Sequence, residues 1–570
     1  MHTKSFKMKE IHRKYINSLF FYITFILILF FQQSLAQAPP KREVRAVWIT
    51  TIGGLDWPHS YSQSEYSKKK QQQEFCAILD RLKAANINTV LLQTRIRGTV
   101  IYPSAYEPWD GCLSGLPGQN PGYDALKFAI DECHQRGMEL HAWVVTIPIG
   151  KWNKSGAIAL RKKHPELCRR VNDEGYMIPE KETTANYIAD ICKEIAENYD
   201  VDGIHLDYIR YPETYPIKGS ADYRRSNITR IVKCVHDKVK SIKPWIKISC
   251  SPIGKYSDLT RYWSHGWNAY ETVYQDAQGW LRDGLMDQLY PMMYFQGEQF
   301  FPFAIDWEER SYGRTVVPGL GIYFMSENEK NWDSEIIERE MYVLRNFGLG
   351  HAYFRSKFFT DNTKGIYNFT ADEFDQYPAL VPAMTWASNQ QPSAPQSVNV
   401  MTTDTAEIIS WKNGIDHSGA TYLTYNIYAS QDYPVNTEDA RNLIATKVLG
   451  NCISIGSGNS DKHLNYSITA MDRYGNESKP TEAPHSVQPV HLNLLKNNGN
   501  NLCIPPKPSI LDADYVVITD IIGKVTAVRP YEGTNIDIHA IKDGVYYVSS
   551  LNAKGVFHRL GMFIKKKKQT

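Results

Sequence analysis

Several signatures that would assign this chain at once are missing. Its nine cysteines are scattered and form no CxxC pair, so neither a thiolate zinc site nor a dithiol redox motif is supported. They read as buried free thiols. There is no HExxH and no HxH pair. His141, His205 and Asp207 contain metal-binding side chains, but no spacing that builds a site by itself, and no metal or other cofactor is expected. Ser251 has no Gly-x-Ser-x-Gly elbow around it, which argues against a serine hydrolase. Gly53-Gly54 alone is too little to cradle phosphate. Charge of one sign is scarce as well. A net charge of +3 over 570 residues sets up no field that would select nucleic acid or an anionic membrane. The basic run Lys565–Lys568 sits at a terminus and reads as a solvated tail.

Long apolar runs are few. Leu19–Phe31 follows a basic stretch (Lys4, Lys7, Lys9, Arg13, Lys14) and precedes Ser34-Leu35-Ala36. This is the pattern of an export signal cut after Ala36. It is short for a membrane span, so no stable insertion is expected once it is removed. The expected location is therefore the periplasm, the cell surface or the exterior. What the chain has in quantity is aromatic surface. Its 13 Trp and 36 Tyr suit sugars, which stack on aromatic faces with polar rims.

From residue 44 onward, β-rich and helical patterns alternate. Val44–Thr50, Asn88–Arg95, Met138–Val145, Asp202–Asp207, Trp245–Ser251, Met286–Tyr290, Arg314–Gly321 and His351–Phe354 read as eight strands. Between them, apolar residues recur at helical spacing, as in Phe75, Ile78, Leu79, Leu82 and again in Ile337, Met341, Leu344. A further helix is expected around Val273, Ala277 and Trp280. The fold class is α/β, a (β/α)8 TIM barrel over residues 41–385. An open doubly wound sheet is the alternative, but it lacks a phosphate loop after strand one. Gln390–Pro395 is a linker. Short alternating strands over 393–486 give a β-sandwich, and residues 490–570 read as a small C-terminal β-domain.

A barrel of this kind carries its site at the carboxyl ends of the strands. Those ends deliver Trp48, Gln93, Arg95, Trp143, His205, Asp207, Tyr208, Arg210, Tyr290, Tyr294, Tyr323 and Arg355. The ring is rich in Trp, Tyr and Arg and holds one carboxylate, Asp207. That points to acid/base chemistry on a glycoside, which ordinarily needs two carboxylates across the scissile bond. The loop after strand six offers Glu298 as the second, and the loop after strand one offers Asp56. The scarcity of carboxylates leaves a second reading open, a barrel that binds carbohydrate without cleaving it. The partner in either case is a polysaccharide. Oligomeric state is not legible.

Five ordered motifs carry a resemblance: REVRAVWITTIGGLDWP (Arg42–Pro58), TVLLQTRIRG, PGYDALKFAIDECHQRGMELHAWV, YDVDGIHLDYIRYP (Tyr199–Pro212) and PGLGIY (Pro318–Tyr323). Together they resemble the glycosyl-hydrolase-like proteins named for their likeness to family 10 glycosidases. The resemblance implies a (β/α)8 barrel and glycosidase activity, with peptidoglycan glycan strands that lack stem peptides as one substrate within the group. Carried over, it makes Asp207 the catalytic residue and puts Arg45, Gln93, Trp143, Tyr208, Arg210 and Tyr294 along the sugar subsites. The stretch 393–486 resembles a fibronectin type III domain, with Trp411, the Tyr425–Tyr428 strand and the late Tyr466. The final segment, with ITDIIGKV, NIDIHAIKDGVYYV and the closing FIKK, resembles the C-terminal sorting domains of type IX secretion.

Overall fold

The computed structural model describes residues 38–565, apart from 217–218, 263–265, 403–405, 457–463, 485–493, 507–513, 522–523 and 552–556. The expected export signal, residues 1–36, and residues 566–568 of the basic run lie outside the described residues. Lys41–Thr570 is one unit.

Nine strands form one parallel sheet: β1 Arg45–Ile49, β2 Thr89–Arg95, β3 Glu139–Val145, β4 Gly203–Asp207, β5 Lys247–Cys250, β6 Gln288–Leu289, β7 Thr315–Val316, β8 Gly319–Leu320 and β9 His351–Tyr353. Their order is β7-β6-β5-β4-β3-β2-β1-β9-β8. The expected seventh strand is thus split into β7 and β8, with Val317 and Pro318 between them. Proline has no N–H to give a ladder, which suits it to such a break.

Side chains alternate across the sheet with period two. Ala46 and Trp48 of β1, with Val44 just before it, enter one cluster with Leu91, Trp143, Val145, Tyr290, Val317 and Ala352. Val47 and Ile49 enter the other, larger cluster, against the helices. Room on the inner side is short at the floor. A Cβ at Gly203 would sit 2.6 Å from the His141 ring, so only glycine lets that imidazole lie across β4.

The helices include α1 Glu65–Ala84, α2 Ala125–Gln135, α3 Glu182–Asn198, α4 Ala221–Lys240, α5 Ala277–Arg282, α6 Phe301–Glu309 and α7 Ser334–Asn346. Ser64 starts α1 with a reciprocal capping box to Ser67, and Asp124 caps α2 through the Lys127 N–H. Such caps satisfy amides that have no partner within the helix. Phe75, Leu79 and Leu82 of α1 are fully buried, each contributing about 1.5–3 kcal/mol by leaving water. The helix expected around Val273 begins later, at Ala277, where Asp276 caps it. Among the described residues, no helix is long and apolar enough to cross a membrane.

Beyond the sheet, β10 Gln396–Thr402, β11 Ala406–Lys412, β12 Thr424–Ser430, β13 Leu443–Val448, β14 Cys452–Gly456, β15 Asn465–Met471 and β16 Thr481–Glu482 form two antiparallel sheets. The orders are β10-β11-β14 and β13-β12-β15-β16. Trp411, Tyr425, Ile427, Tyr466 and Ile468 fill the space between them. A four-stranded antiparallel sheet of Tyr515–Asp520, Val525–Pro530, Gly544–Leu551 and Phe557–Lys565 closes the chain.

The β-sandwich is seated on the amino-terminal ends of the parallel strands. Lys447 forms an ion pair with Glu139 of β3, and Arg473 bridges Asp200 and Asp202 at the entry to β4. Gly137 ends α2 with φ 70°. A Cβ there would meet the Thr446 carbonyl oxygen at 2.2 Å, so the same glycine stops the helix and admits the sandwich.

Candidate active site

The opposite end of the sheet, where the strands terminate, opens into a cleft of about 550 Å3, within the range of small-molecule sites. One wall is aromatic. Tyr294 and Tyr323 meet edge-on with centroids 5.7 Å apart, Phe354 lies 5.4 Å from Tyr294, and Tyr323 lies 4.0 Å from Phe324. Trp267, 43% exposed, stands at the rim. The polar members are Thr50, Gln93, Arg97, Asp207, Tyr208, Arg210 and Arg355.

Asp207 is the last residue of β4, in register with Val145 of β3. Three donors converge on its carboxylate. Trp143 Nε1 donates to Oδ2 at 3.1 Å, Ser251 Oγ donates to Oδ1 at 2.8 Å, and the Tyr208 amide donates to Oδ1 at 2.8 Å. Three anchors on two oxygens hold the group in one orientation, as a positioned acid or base must be. Tyr208, the next residue, has φ 52°. A bulky side chain in the left-handed region is strained, and such strain collects at functional sites.

The tyrosines around Asp207 are hydrogen-bond donors at neutral pH. Burial pushes Tyr294 well above the ordinary phenol value, helped by Tyr323 and Asp207. Burial and the Asp207 charge push Tyr208 the same way. Burial raises Tyr323 to about 12. None is ionised enough to serve as a nucleophile, so Asp207 carries the acid/base capacity of the lining. Among the described residues lining the cleft it is the one carboxylate.

Of the expected site residues, the structure brings Gln93, Trp143, Asp207, Tyr208, Arg210, Tyr294, Tyr323 and Arg355 to this cleft. Others fall elsewhere. Arg45 lies at the far end of β1, fully buried, bonded to Glu43 at 2.7 Å and to the Tyr377 carbonyl at 2.6 Å. Its distance along the strand excludes it from the mouth. Arg95 grips Glu107 through Nε at 2.8 Å and Nη2 at 2.6 Å, pinning the loop after β2 from the outer side. Trp48, His205 and Tyr290 point inward but lie one layer too deep, packed against each other with centroids 5.2–6.0 Å apart. Burial, with His141 beside it, pushes His205 far below the ordinary imidazole value. It stays neutral and bonds Ser249.

Glu298 is exposed, accepts a hydrogen bond from Tyr262 at 2.6 Å, and is not in the cleft lining. Asp56 is fully engaged: its Oδ2 accepts from the Thr50 amide, and its Oδ1 takes Arg355 at 2.7 Å and the Lys357 amide at 3.0 Å. It staples the loop after β1 to the loop after β9. Neither lies in the cleft lining. Two carboxylates outside the lining touch its arginines: Asp56 at Arg355, and Glu213, which sits 3.5 Å from Arg210. Residues that sequence patterning missed include Trp267, Phe295 and Phe324, from loops and short turns where no periodicity marks them, and Phe354, at the end of the expected eighth strand. Among the described residues, no group of three His, Cys, Asp or Glu converges as metal ligands.

The chain is a glycosidase. Residues 43–331 match the family model described as Glycosyl hydrolase-like 10, and the chain belongs to that family. It is 28% identical over 489 residues to Glycosyl hydrolase YngK of Bacillus subtilis, covering 79% of this chain and 94% of that one. It is 31% identical over 290 residues to Glycosyl hydrolase DigH of Escherichia coli K12, covering 45% of this chain and 66% of that relative, just under two thirds of its length. Among solved structures, the PgaB (BpsB) glycoside hydrolase domain from Bordetella bronchiseptica aligns with TM-score 0.39 at 12% identity, covering 58% of this chain and 98% of that one.

Proposed function

We propose that this glycosidase is exported and cleaves glycosidic bonds in a polysaccharide, with peptidoglycan glycan strands favoured, and that Asp207 is its catalytic acid/base. The observation that carries the assignment is the anchoring of Asp207 by Trp143, Ser251 and the Tyr208 amide inside the aromatic cleft. A carboxyl at that point can protonate the leaving glycosidic oxygen while the rings of Tyr294, Tyr323 and Trp267 take the sugar faces. The protonated Tyr208 and Tyr294 hydroxyls donate to sugar oxygens. Gln93 accepts from the Thr51 and Ile52 amides at 3.1 and 2.9 Å and so keeps the first loop in place around the substrate. The peptidoglycan preference rests on the family resemblance of the five motifs.

The organisation that goes with this reading is an export signal at 1–36, a closed (β/α)8 barrel over 41–385, a fibronectin type III-like sandwich over 393–486, and a sorting-like β-domain over 490–570. Closure is supported by the two sheet edges, β7 and β8, which belong to one six-residue segment. The fibronectin reading is supported by the three- and four-stranded orders, which pair first, second and fifth strands against the other four. Export is supported by the basic and apolar N-terminal pattern.

The test is to incubate the whole mature chain with glycan strands freed of stem peptides and to count new reducing ends. Cleavage that disappears in Asp207→Asn is expected. Strand binding without any new reducing end would favour the non-catalytic carbohydrate-binding alternative.

A further inference from the structure

Resting on that glycosidase reading, we infer that Arg210 reads a carboxylate on the substrate, so that the glycan this cleft selects is an acidic one. Arg210 lines the cleft three residues after Asp207. It is 4% exposed, yet its Nε and Nη1 have no hydrogen-bond partner among the described residues. Buried guanidinium nitrogens are among the costliest groups to leave unsatisfied. Among the described residues its one ion pair, from Nη2 to Glu213, is 3.5 Å long and reaches a carboxylate whose side chain is 44% exposed. A pair of that length and exposure contributes little.

The surroundings narrow what could complete it. The Tyr208 ring lies 4.3 Å from the guanidinium carbon and the Trp267 ring 5.8 Å. With aromatic rings against it, polar contact is left to the planar edge, and a carboxylate is the planar acceptor that matches such an edge. The charge balance agrees. Three arginines line the cleft against one carboxylate. Arg355 is neutralised by Asp56, while Arg97 is exposed at the rim. A neutral sugar would leave the cationic excess uncompensated. A ring bearing a carboxylate, as a lactyl ether or a uronic acid does, would compensate it.

The experiment compares two forms of one substrate, uncrosslinked glycan strands with free lactyl carboxylates and the same strands with those carboxylates reduced to alcohols. Wild-type kcat/KM is expected to favour the acidic form by about 30-fold or more, the scale of a charge-assisted hydrogen bond. Arg210→Gln is expected to cut that preference to about threefold or less, and Arg210→Lys, which keeps the charge without the fork, to leave it between the two. Thermal melting of each variant checks that the fold persists. Equal cleavage of both forms by the wild type overturns the inference and leaves the glycosidase reading intact. So does an Arg210→Gln variant that loses activity on both forms alike. If neither form is cut, binding of the same pair to Asp207→Asn decides. A tenfold preference for the acidic form upholds the carboxylate reading without the enzymatic one, and equal binding overturns it.

Discussion

The two ends of the parallel strands are built on opposite principles. At the floor, charge is plentiful and gathered into buried ion-pair networks. Glu43, Arg45, Arg345, Asp375 and His351 form one buried network with contacts of 2.6–3.1 Å. Glu139 is clasped by Lys247 and by Lys447 of the sandwich. At the mouth, charge is sparse and incompletely matched: one anchored carboxylate, one guanidinium with two idle nitrogens, and a strained tyrosine between them. Matched buried charges resist change, because removing one partner strands the other. Unmatched ones are poised for a ligand. The floor therefore reads as stability and the mouth as chemistry.

Breaking the comparison at the mouth should give the largest effect. Asp207→Asn is expected to lower kcat on the order of a thousandfold, about 4 kcal/mol of transition-state stabilisation, with an unchanged melting midpoint. Reducing-end assays beside calorimetry read both. Wild-type rates would remove Asp207 from the mechanism. At the floor the signs should reverse. Asp375→Asn leaves Arg45 and Arg345 short of a buried partner and is expected to cost about 3 kcal/mol of stability, while the activity of the remaining folded protein stays near wild type.

The same network carries a pH signature. Burial raises Asp375, but Arg45, His351 and Arg345 outweigh it and bring it from 3.8 to about 2. A carboxylate lowered by folding adds stability that is fully present above its unfolded value and is lost as pH falls through the folded one. The expected loss is about 2 kcal/mol between roughly pH 5 and pH 2, and it should be absent in Asp375→Asn. Denaturant titrations at stepped pH measure it.

A smaller effect sharpens the picture of the mouth. Trp143→Phe removes the Nε1 donor and keeps a ring, so kcat is expected to fall about tenfold while KM moves little. Smallest of all, Glu298→Gln is expected to change neither rate nor melting, because that side chain stands outside the cleft. A large loss of kcat there would restore it as the second carboxylate.

Local pattern carried a good deal of this. Alternation of apolar strands and amphipathic helices located all eight strand segments within a few residues, because each must bury one face and the spacing records which. The DGIHLDYIRYP segment singled out Asp207, since it is the lone acid among the Trp, Tyr and Arg side chains at the strand ends. What pattern could not supply was depth. A period of two says that Trp48, His205, Asp207 and Tyr290 face inward, but it does not say how far each lies along the strand axis. That depends on the stagger between neighbouring strands, such as Val145 beside Asp207. Arg45 stands at the amino end of β1 and Arg355 just past the carboxyl end of β9, so strand direction separates them, but only the tertiary structure brings Asp375 to the one and Asp56 to the other. The loop residues Trp267, Phe324, Glu298 and Asp56 obey no period at all. Their places follow from long-range contacts, like the Asp56–Arg355 pair 299 residues apart, which exist only once the strands have come together.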